Sequence, residues 1–398
     1  MKKNSFKKNY FFFACKFIFL LIIINIPFHK IEIIILSQKI TIKNEYNFTN
    51  LNSIYSLFQY NISYNTVLIF EAFEYHYECT PGFAKYFIDL GYKIDIIMSN
   101  YGISSFFRFE EIDKIRFFIY NEIDDIKKYK HFFKSILINY NYVIIETANP
   151  IDFFLYKSLN LLNIYHSFFV FHHLDYVFDF PRKFKLRKNQ IWSLGNFNSS
   201  IQVNPHYFGN FKNNNKSKNK ITRFFITSTT RRNYQPLISA VEKLKEENLE
   251  FHVIVVGKYN TFTINNISEK LLENFTFKYN IPYEDLYYEV NNSDYIIINL
   301  DPNSIIDEPF RKTRVSGSIQ LSYGFLKPVI INKYFADIFN FNSNNSFIYD
   351  NINFTATIRN AINIGNKAYI NMVKNLNLVS KKVYKDSLYN IKKCLNEL

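Results

Sequence analysis

A basic turn followed by a short helical segment is the part of the sequence best suited to bind an anion. Residues 311–318 read RKTRVSGS, and the apolar run after them predicts a helix that ends at Gly324 and Phe325. The first turn of a helix has free N–H groups and the positive end of the helix dipole, so a phosphate group can bind there without a metal. The predicted phosphate-binding residues are Arg311, Lys312, Ser316, Gly317 and Ser318.

A second basic loop lies earlier in the same half of the chain. Residues 223–257 predict a strand, a basic loop, a helix and a strand that ends in glycine, and the loop contains Arg231, Arg232 and Asn233. Parallel strands present their C-terminal ends at one edge of a sheet, so we expect this loop and the turn at residues 311–318 to converge on one phosphate-sized site. The alternatives are exposed turn cations for the two arginines and an ordinary helix cap for residues 316–318.

Candidate acid–base residues occur in the first half of the chain. His76 and Glu78 follow the first predicted strand, where a histidine could act as general base on a hydroxyl and a carboxylate could orient it. His172 and His173 end another predicted strand and are expected at the same cleft. The spacing specifies no third ligand, so no metal site is predicted. Surface or structural roles are the alternative for these four residues.

The order of elements indicates how these residues are positioned. Strands alternate with helices across residues 66–211, a polar stretch at residues 212–220 predicts a linker, and the pattern restarts across residues 221–365. This predicts an α/β protein with two Rossmann-like, doubly wound parallel-sheet domains and a cleft between them. Thr80 is the expected N-cap of the first helix, and the helical segment 366–398 is expected to pack across or beside the first domain.

The N-terminal segment predicts contact with a membrane. Residues 11–28 read FFFACKFIFLLIIINIPF and follow four lysines, with no small-residue cleavage site behind them. We expect residues 1–28 to form an uncleaved membrane-associated helix, lying in the plane of the bilayer or re-entrant, with residues 29–65 as a connector. A strongly hydrophobic soluble helix is the alternative.

Charge, cysteines and missing motifs exclude several classes of function. The net charge of +14 has no zinc-finger, RNA-recognition or helix-turn-helix signature beside it, so no nucleic-acid partner is expected. Three scattered cysteines provide no disulfide framework and fit a reducing compartment. The absence of a Gly-x-Gly-x-x-Gly fingerprint and of a Walker loop argues against nicotinamide and P-loop nucleotide binding.

The second half carries a resemblance to a known family. Residues 223–257, 283–302 and 311–331 resemble the donor domain of bacterial glycosyltransferases of the GT-B fold, of the group 1 or family 4 type. The resemblance implies that Arg232 contacts a donor diphosphate and that neither a metal nor another cofactor is needed. The family's earlier arginine is replaced by Thr227, and its two glutamates are replaced by Thr313 and Leu321.

The implied activity is the transfer of a sugar from a nucleotide-sugar donor to a saccharide or lipid-linked acceptor. The resemblance places this reaction in surface polysaccharide or glycoconjugate synthesis, at the cytoplasmic face of a membrane, with the protein peripheral or anchored by its N-terminal helix. Two alternatives stay open. One is a sugar-nucleotide epimerase of the same fold, and the other is a non-catalytic, membrane-attached carbohydrate-binding protein.

Overall fold

A computed structural model describes most of the chain after residue 50. The described residues are 51–59, 62–72, 76–120, 130–149, 153–159, 161, 166–174, 186–197, 200–211, 217–227, 232–258, 267–350 and 352–397. The expected membrane-associated helix at residues 1–28 and most of the expected connector lie outside this part. Within it, no helix is both long and apolar enough to span a membrane.

In the described part of the chain, the first sheet has eight parallel strands. They are β1 (Leu51–Ser53), β2 (Thr66–Phe70), β3 (Lys93–Ser99), β4 (Ile115–Tyr120), β5 (Tyr142–Ile145), β6 (Ser167–Phe171), β7 (Ile191–Ser193) and β8 (Ile201–Gln202). Their order across the sheet is β1-β4-β3-β2-β5-β6-β7-β8. All residues of β2 are buried, as expected for a central strand in a parallel sheet that is covered on both faces.

Three α-helices are described in this half: α1 (Thr80–Asp89), α2 (Lys130–Leu137) and α3 (Phe153–Ser158). The prediction that Thr80 caps α1 is wrong, because Thr80 is the first helical residue and Cys79 occupies the N-cap without a side-chain hydrogen bond. Pro81 suits the first turn, where its missing N–H has no intrahelical partner to lose. Gly91 follows the helix with φ of +88°, a conformation that glycine adopts without strain.

The second sheet has six parallel strands. They are β9 (Thr222–Thr227), β10 (Phe251–Gly257), β11 (Phe275–Tyr279), β12 (Tyr295–Ile298), β13 (Val329–Asn332) and β14 (Ser346–Tyr349), in the order β11-β10-β9-β12-β13-β14. The four residues of β12 and of β13 are all buried. The prediction of two parallel-sheet α/β halves is confirmed.

Seven α-helices are described beside the second sheet before the C-terminal one. They are α4 (Gln235–Glu246), α5 (Glu269–Leu272), α6 (Tyr283–Asn292), α7 (Pro309–Lys312), α8 (Gly317–Phe325), α9 (Lys333–Ala336) and α10 (Phe354–Asn363). Helix α8 ends at Phe325, and its C-cap is Leu326 in the left-handed region, at φ of 53°. Gly324 is not the C-cap residue. It allows the Phe208 ring to pack closely against the helix, because a Cβ at this position would lie 2.3 Å from that ring.

The predicted linker at residues 212–220 is described only from residue 217 onward. That end is attached to the second half: the Lys218 N–H donates to Asn366 Oδ1 at 3.0 Å, and the Asn219 N–H donates to Asp294 Oδ1 at 2.9 Å. The described end of the linker is therefore hydrogen-bonded to the domain that follows it.

The C-terminal helix α11 (Asn366–Asn396) is 31 residues long and contacts both halves. Near its start, the ring of Tyr369 packs 5.5 Å from that of Tyr295 in β12. Further along, the Tyr384 hydroxyl donates to Asp89 Oδ2 at 2.7 Å, and Asn390 Nδ2 donates to the Gln202 carbonyl at 2.9 Å. The helix therefore packs across the first half, as the sequence predicts.

Candidate functional site

The loops at the C-terminal edges of the two sheets contact each other through backbone atoms. The Leu174 N–H donates to the Thr313 carbonyl at 3.0 Å, and His173 forms an isolated antiparallel bridge with Arg314. The loop after β6 thus lies directly against the turn before α8. The side chains around this contact come from both halves and form the candidate site.

The sequence predicts an anion-binding element at the first turn of α8. Ser316 is its N-cap residue and has no side-chain capping bond, and Gly317 and Ser318 open the helix. Ser318 Oγ lies 2.8 Å from Thr227 Oγ1 at the end of β9. Since the first N–H groups of a helix lack intrahelical partners, this turn presents donors and the positive end of a helix dipole.

Arg232 lies beside the segment at residues 307–310, which precedes this turn, and is already paired. Its guanidinium forms an ion pair with Asp307, and both side chains are largely buried, at 12% and 3% exposure. It also lies 4.9 Å from the centroid of the Phe310 ring. The other Asp307 oxygen accepts a hydrogen bond from the Asp301 N–H at 2.9 Å. Asp307 therefore holds both the Arg232 side chain and the backbone of the loop that contains Asp301. A diphosphate role for Arg232 stays a prediction.

The remaining predicted donor-side residues have separate surroundings. Arg231 lies outside the described residues. Asn233 is exposed, and its Oδ1 accepts from the Gln235 N–H at 3.0 Å, an Asx turn at the start of α4. Arg311 donates to the Tyr334 carbonyl and stacks 4.3 Å from its ring, and Lys312 pairs with Glu308 at 2.6 Å. Arg311 and Lys312 are thus engaged with Tyr334 and Glu308 on the neighbouring surface.

The structure brings together the acid–base residues predicted from two separate loops. His76 Nδ1 lies 3.6 Å from Glu78 Oε1. The His76 ring stacks on that of His172, with the ring centroids 3.8 Å apart and the planes 16° from parallel. A Cβ placed on Gly317 would lie 4.0 Å from Glu78 Oε1, so this carboxylate directly faces the first turn of α8.

His172 is the buried member of this pair. Its Nε2 lies 3.2 Å from the Glu146 carbonyl oxygen. Burial, followed by the neighbouring His76 and His173, holds the pKa of His172 well below its usual value. It is therefore neutral at pH 7 and supports the His76 ring as an uncharged surface.

Tyr283 is a site residue that the sequence reading missed. It is the first residue of α6, and its hydroxyl donates to Glu78 Oε2 at 3.1 Å across the boundary between the halves. Burial is the main cause that raises the pKa of Tyr283, with the Glu78 charge adding to it. The phenol is therefore a stable donor to the carboxylate. No local pattern marks this tyrosine, since its partner lies in the other half of the chain.

Two buried glutamates were also missed. Glu71 directly follows β2, Glu146 directly follows β5, and neither side chain is exposed. Glu71 Oε2 accepts a hydrogen bond from Thr147 Oγ1 at 2.6 Å. Burial, followed by the Glu71 charge, raises the pKa of Glu146 well above its usual value. A polar residue immediately after a buried parallel strand is a signal that could have identified both.

The described residues contain no group of three or more His, Cys, Asp or Glu side chains arranged to hold a metal ion.

Comparison with known proteins gives a fold. No protein-family model matches the chain, and no curated protein sequence does. A glycosyltransferase from Rickettsia africae ESF-5 superposes with a TM-score of 0.51 at 15% identity, over 84% of this chain and 99% of that one. TarM superposes with a TM-score of 0.52 at 10% identity, over 84% and 99% of the two chains. The chain has the GT-B fold. At these identities the likeness establishes the fold alone.

Proposed function

We propose that the protein is a glycosyltransferase that moves a sugar from a nucleotide-sugar donor to a saccharide or lipid-linked acceptor. The observation that carries this proposal is the position of the His76–Glu78 pair opposite the first turn of α8. An acid–base pair from one half faces an anion-binding helix end from the other. Transfer to a hydroxyl from a diphosphate leaving group needs this combination.

The donor diphosphate would bind at Ser316–Ser318, beside Thr227. A diphosphate bound to the N–H groups of this turn would lie beside the Glu78 carboxylate, which stays in contact with His76 and Tyr283. Arg232 would exchange part of its contact with Asp307 for the phosphate oxygens. Helix N–H groups and a guanidinium stabilise the charge that develops as the bond from the sugar to the diphosphate breaks, so the proposed reaction uses no metal.

The acceptor would bind against the first half. In the proposed step, the free ring nitrogen of His76 takes the proton from the acceptor hydroxyl, and the hydroxyl oxygen bonds to the anomeric carbon of the donor. The nucleoside diphosphate leaves with the electron pair of the broken bond. Glu78 orients the imidazole through Nδ1, and His172 supports the ring from its other face. Closure of the two halves would exclude water from the donor.

The proposed location is the cytoplasmic face of a membrane, with residues 1–28 as the anchor. The apolar run at residues 11–28 and the lysines that precede it support this part of the proposal. Glycoconjugate or surface polysaccharide synthesis is the corresponding proposed pathway.

A donor panel tests the activity. The purified chain is incubated with a set of sugar nucleotides, with and without saccharide acceptors, and the products are resolved by mass spectrometry and chromatography. Transfer, or slow release of the nucleoside diphosphate with free sugar, supports the proposal. Inversion of the sugar while it is still attached to the nucleotide would indicate an epimerase instead. Binding of saccharides with no turnover of any donor would indicate a carbohydrate-binding protein.

A further inference from the structure

The exposed face of the C-terminal helix carries a row of lysines. Their spacing of seven, seven, four and seven residues places all of them within roughly 60° around the helix axis. The row spans roughly 37 Å at a rise of 1.5 Å per residue. Every one of these side chains is exposed, and the row consists of Lys367, Lys374, Lys381, Lys385 and Lys392.

These five lysines, here called the lysine row, have no carboxylate partner among the described residues. The two other lysines of the helix lie to one side of the row and are paired, Lys382 with Asp386 at 2.6 Å and Lys393 with Glu397 at 3.8 Å. Like charges four residues apart, such as Lys381 and Lys385, repel each other on an isolated helix. The row is therefore an uncompensated positive surface that a nearby negative surface would stabilise.

Two apolar side chains interrupt the row on the same face. Leu378 is 66% exposed and Tyr389 is 68% exposed. The opposite face of the helix is buried, through residues such as Leu376 and Ile391. The outer face thus combines unpaired lysines with two exposed apolar groups, and an anionic lipid surface attracts the first and can accommodate the second.

We infer that this outer face of α11 is a docking surface for an anionic phospholipid bilayer. Lysines on flexible stems suit a diffuse layer of lipid phosphates, and Leu378 and Tyr389 are placed to enter the headgroup region. Nucleic acid fits less well, because the row contains no arginine and only one aromatic side chain on which a base could stack. The inference goes beyond the proposed reaction and uses none of its residues.

The test compares two variants of the full chain with equal loss of charge. The row variant replaces Lys367, Lys374, Lys381, Lys385 and Lys392 with Gln. The control variant replaces five exposed lysines elsewhere with Gln, namely Lys93, Lys114, Lys157, Lys243 and Lys333. Binding is measured by sedimentation with phosphatidylcholine vesicles, with or without phosphatidylglycerol. Neutral vesicles report apolar binding by the chain, and the difference between vesicle types reports the charge-dependent part. The lysines before residue 11 contribute to that part equally in both variants, so the comparison between the variants isolates the row.

Each lysine close to an anionic surface contributes roughly five-fold to partitioning, so five lysines in full contact would contribute roughly 3,000-fold. The row variant should therefore bind anionic vesicles at least roughly 100-fold more weakly than the parent. The control variant should lose far less affinity for anionic vesicles. Added salt should reduce the difference in vesicle affinity between parent and row variant, because it screens the attraction between lysines and anionic lipids. Equal binding by the row and control variants would overturn the inference. RNA binding is measured in the same variants. The inference would also be overturned if the row variant lost RNA binding but kept the parent's vesicle binding.

A second measurement keeps the inference testable if the row variant folds poorly. In Leu378→Trp, the new indole should shift its emission to the blue on anionic vesicles, whereas the native Trp192 is buried and should not respond. An unshifted spectrum would contradict docking by this face. Donor turnover measured without vesicles should be the same in parent and row variant, so a failed docking test leaves the transferase proposal standing.

Discussion

The hydroxyl of Tyr283 donates a hydrogen bond to Glu78 Oε2 at 3.1 Å, and it joins the helix after β11 to the loop after β2. The other oxygen of the same carboxylate faces His76 and the first turn of α8. One side chain of the first half is therefore in contact with the donor half and with the candidate base. This contact connects the half proposed to bind the donor with the carboxylate proposed to orient the base.

Tyr283→Phe should slow sugar transfer without weakening donor binding. The substitution removes a hydrogen bond to a charged group, and contacts of this kind contribute about 1.5–3 kcal/mol, so a fall of roughly 10-fold or more in kcat is expected. Tyr288→Phe is the matched control, since Tyr288 accepts from Arg108 at 3.2 Å across the same boundary, away from His76. A fall of the same size in both variants would mean that Tyr283 only holds the halves together.

His76→Phe should abolish most of the transfer while leaving donor affinity unchanged. The phenyl ring keeps the stacking on His172 but cannot accept a proton, and general-base catalysis typically contributes roughly 100-fold or more. The exposed His131→Phe serves as control. Calorimetric titration of the donor and steady-state rates with acceptor measure the two quantities. A His76→Phe enzyme with the parent's rate would exclude His76 as the base.

Arg232→Ala should weaken donor binding roughly ten-fold or more, the effect expected for one charge-assisted phosphate contact. It should also destabilise the protein by about 3 kcal/mol, because Asp307 is left buried and unpaired.

The double variant Arg232→Ala/Asp307→Asn separates these two effects. It removes the unpaired charge, so its unfolding free energy in urea should recover towards that of the parent, while donor binding stays weak. Recovery of donor affinity together with stability would show that Arg232 acts only through the fold.

Glu146→Gln should change how stability depends on pH. Burial keeps the pKa of Glu146 raised in the folded protein, so over a range of pH the folded chain keeps a proton that the unfolded chain has lost. The free energy of unfolding of the parent therefore falls as pH rises through the folded pKa. The free energy of unfolding of Glu146→Gln should equal that of the parent at acidic pH and exceed it at alkaline pH. The exposed Glu246→Gln should show no such divergence in urea titrations.

Much of the fold could be read from local patterns, because buried parallel strands are continuous apolar runs. TVLIF at residues 66–70 and VIIN at residues 329–332 are examples of strands that such patterns mark. The sequence reading missed β1, β7 and β8, which are three, three and two residues long, and the four-residue β14, whose two central residues are only partly buried. It placed β1 in the expected connector at residues 29–65, whereas β1 pairs with β4 in the first sheet. Segments this short have no usable periodicity, and their assignment as strands depends on a neighbouring strand already in place.

The candidate site was less accessible to sequence reasoning than the fold. The turn at Ser316–Ser318 and the pair His76 and Glu78 could be proposed from the sequence, because each follows a predicted strand or opens a predicted helix. The contacts Tyr283–Glu78 and Arg232–Asp307 were not found, since their partners lie 205 and 75 residues apart along the chain. Such pairs are set by the relative position of elements, which local patterns do not encode.

The long helix α11 has a consequence for how the molecule comes apart. Its buried face contributes Leu376 to the core of the second sheet. Further along the helix, Ser387 Oγ accepts a hydrogen bond at 3.0 Å from the N–H of Asn204, which follows β8 of the first sheet. Loss of either sheet would strip one end of this helix of its packing and expose apolar side chains. The two halves therefore share the free energy of one element, which favours a single cooperative melting transition over independent unfolding of two domains.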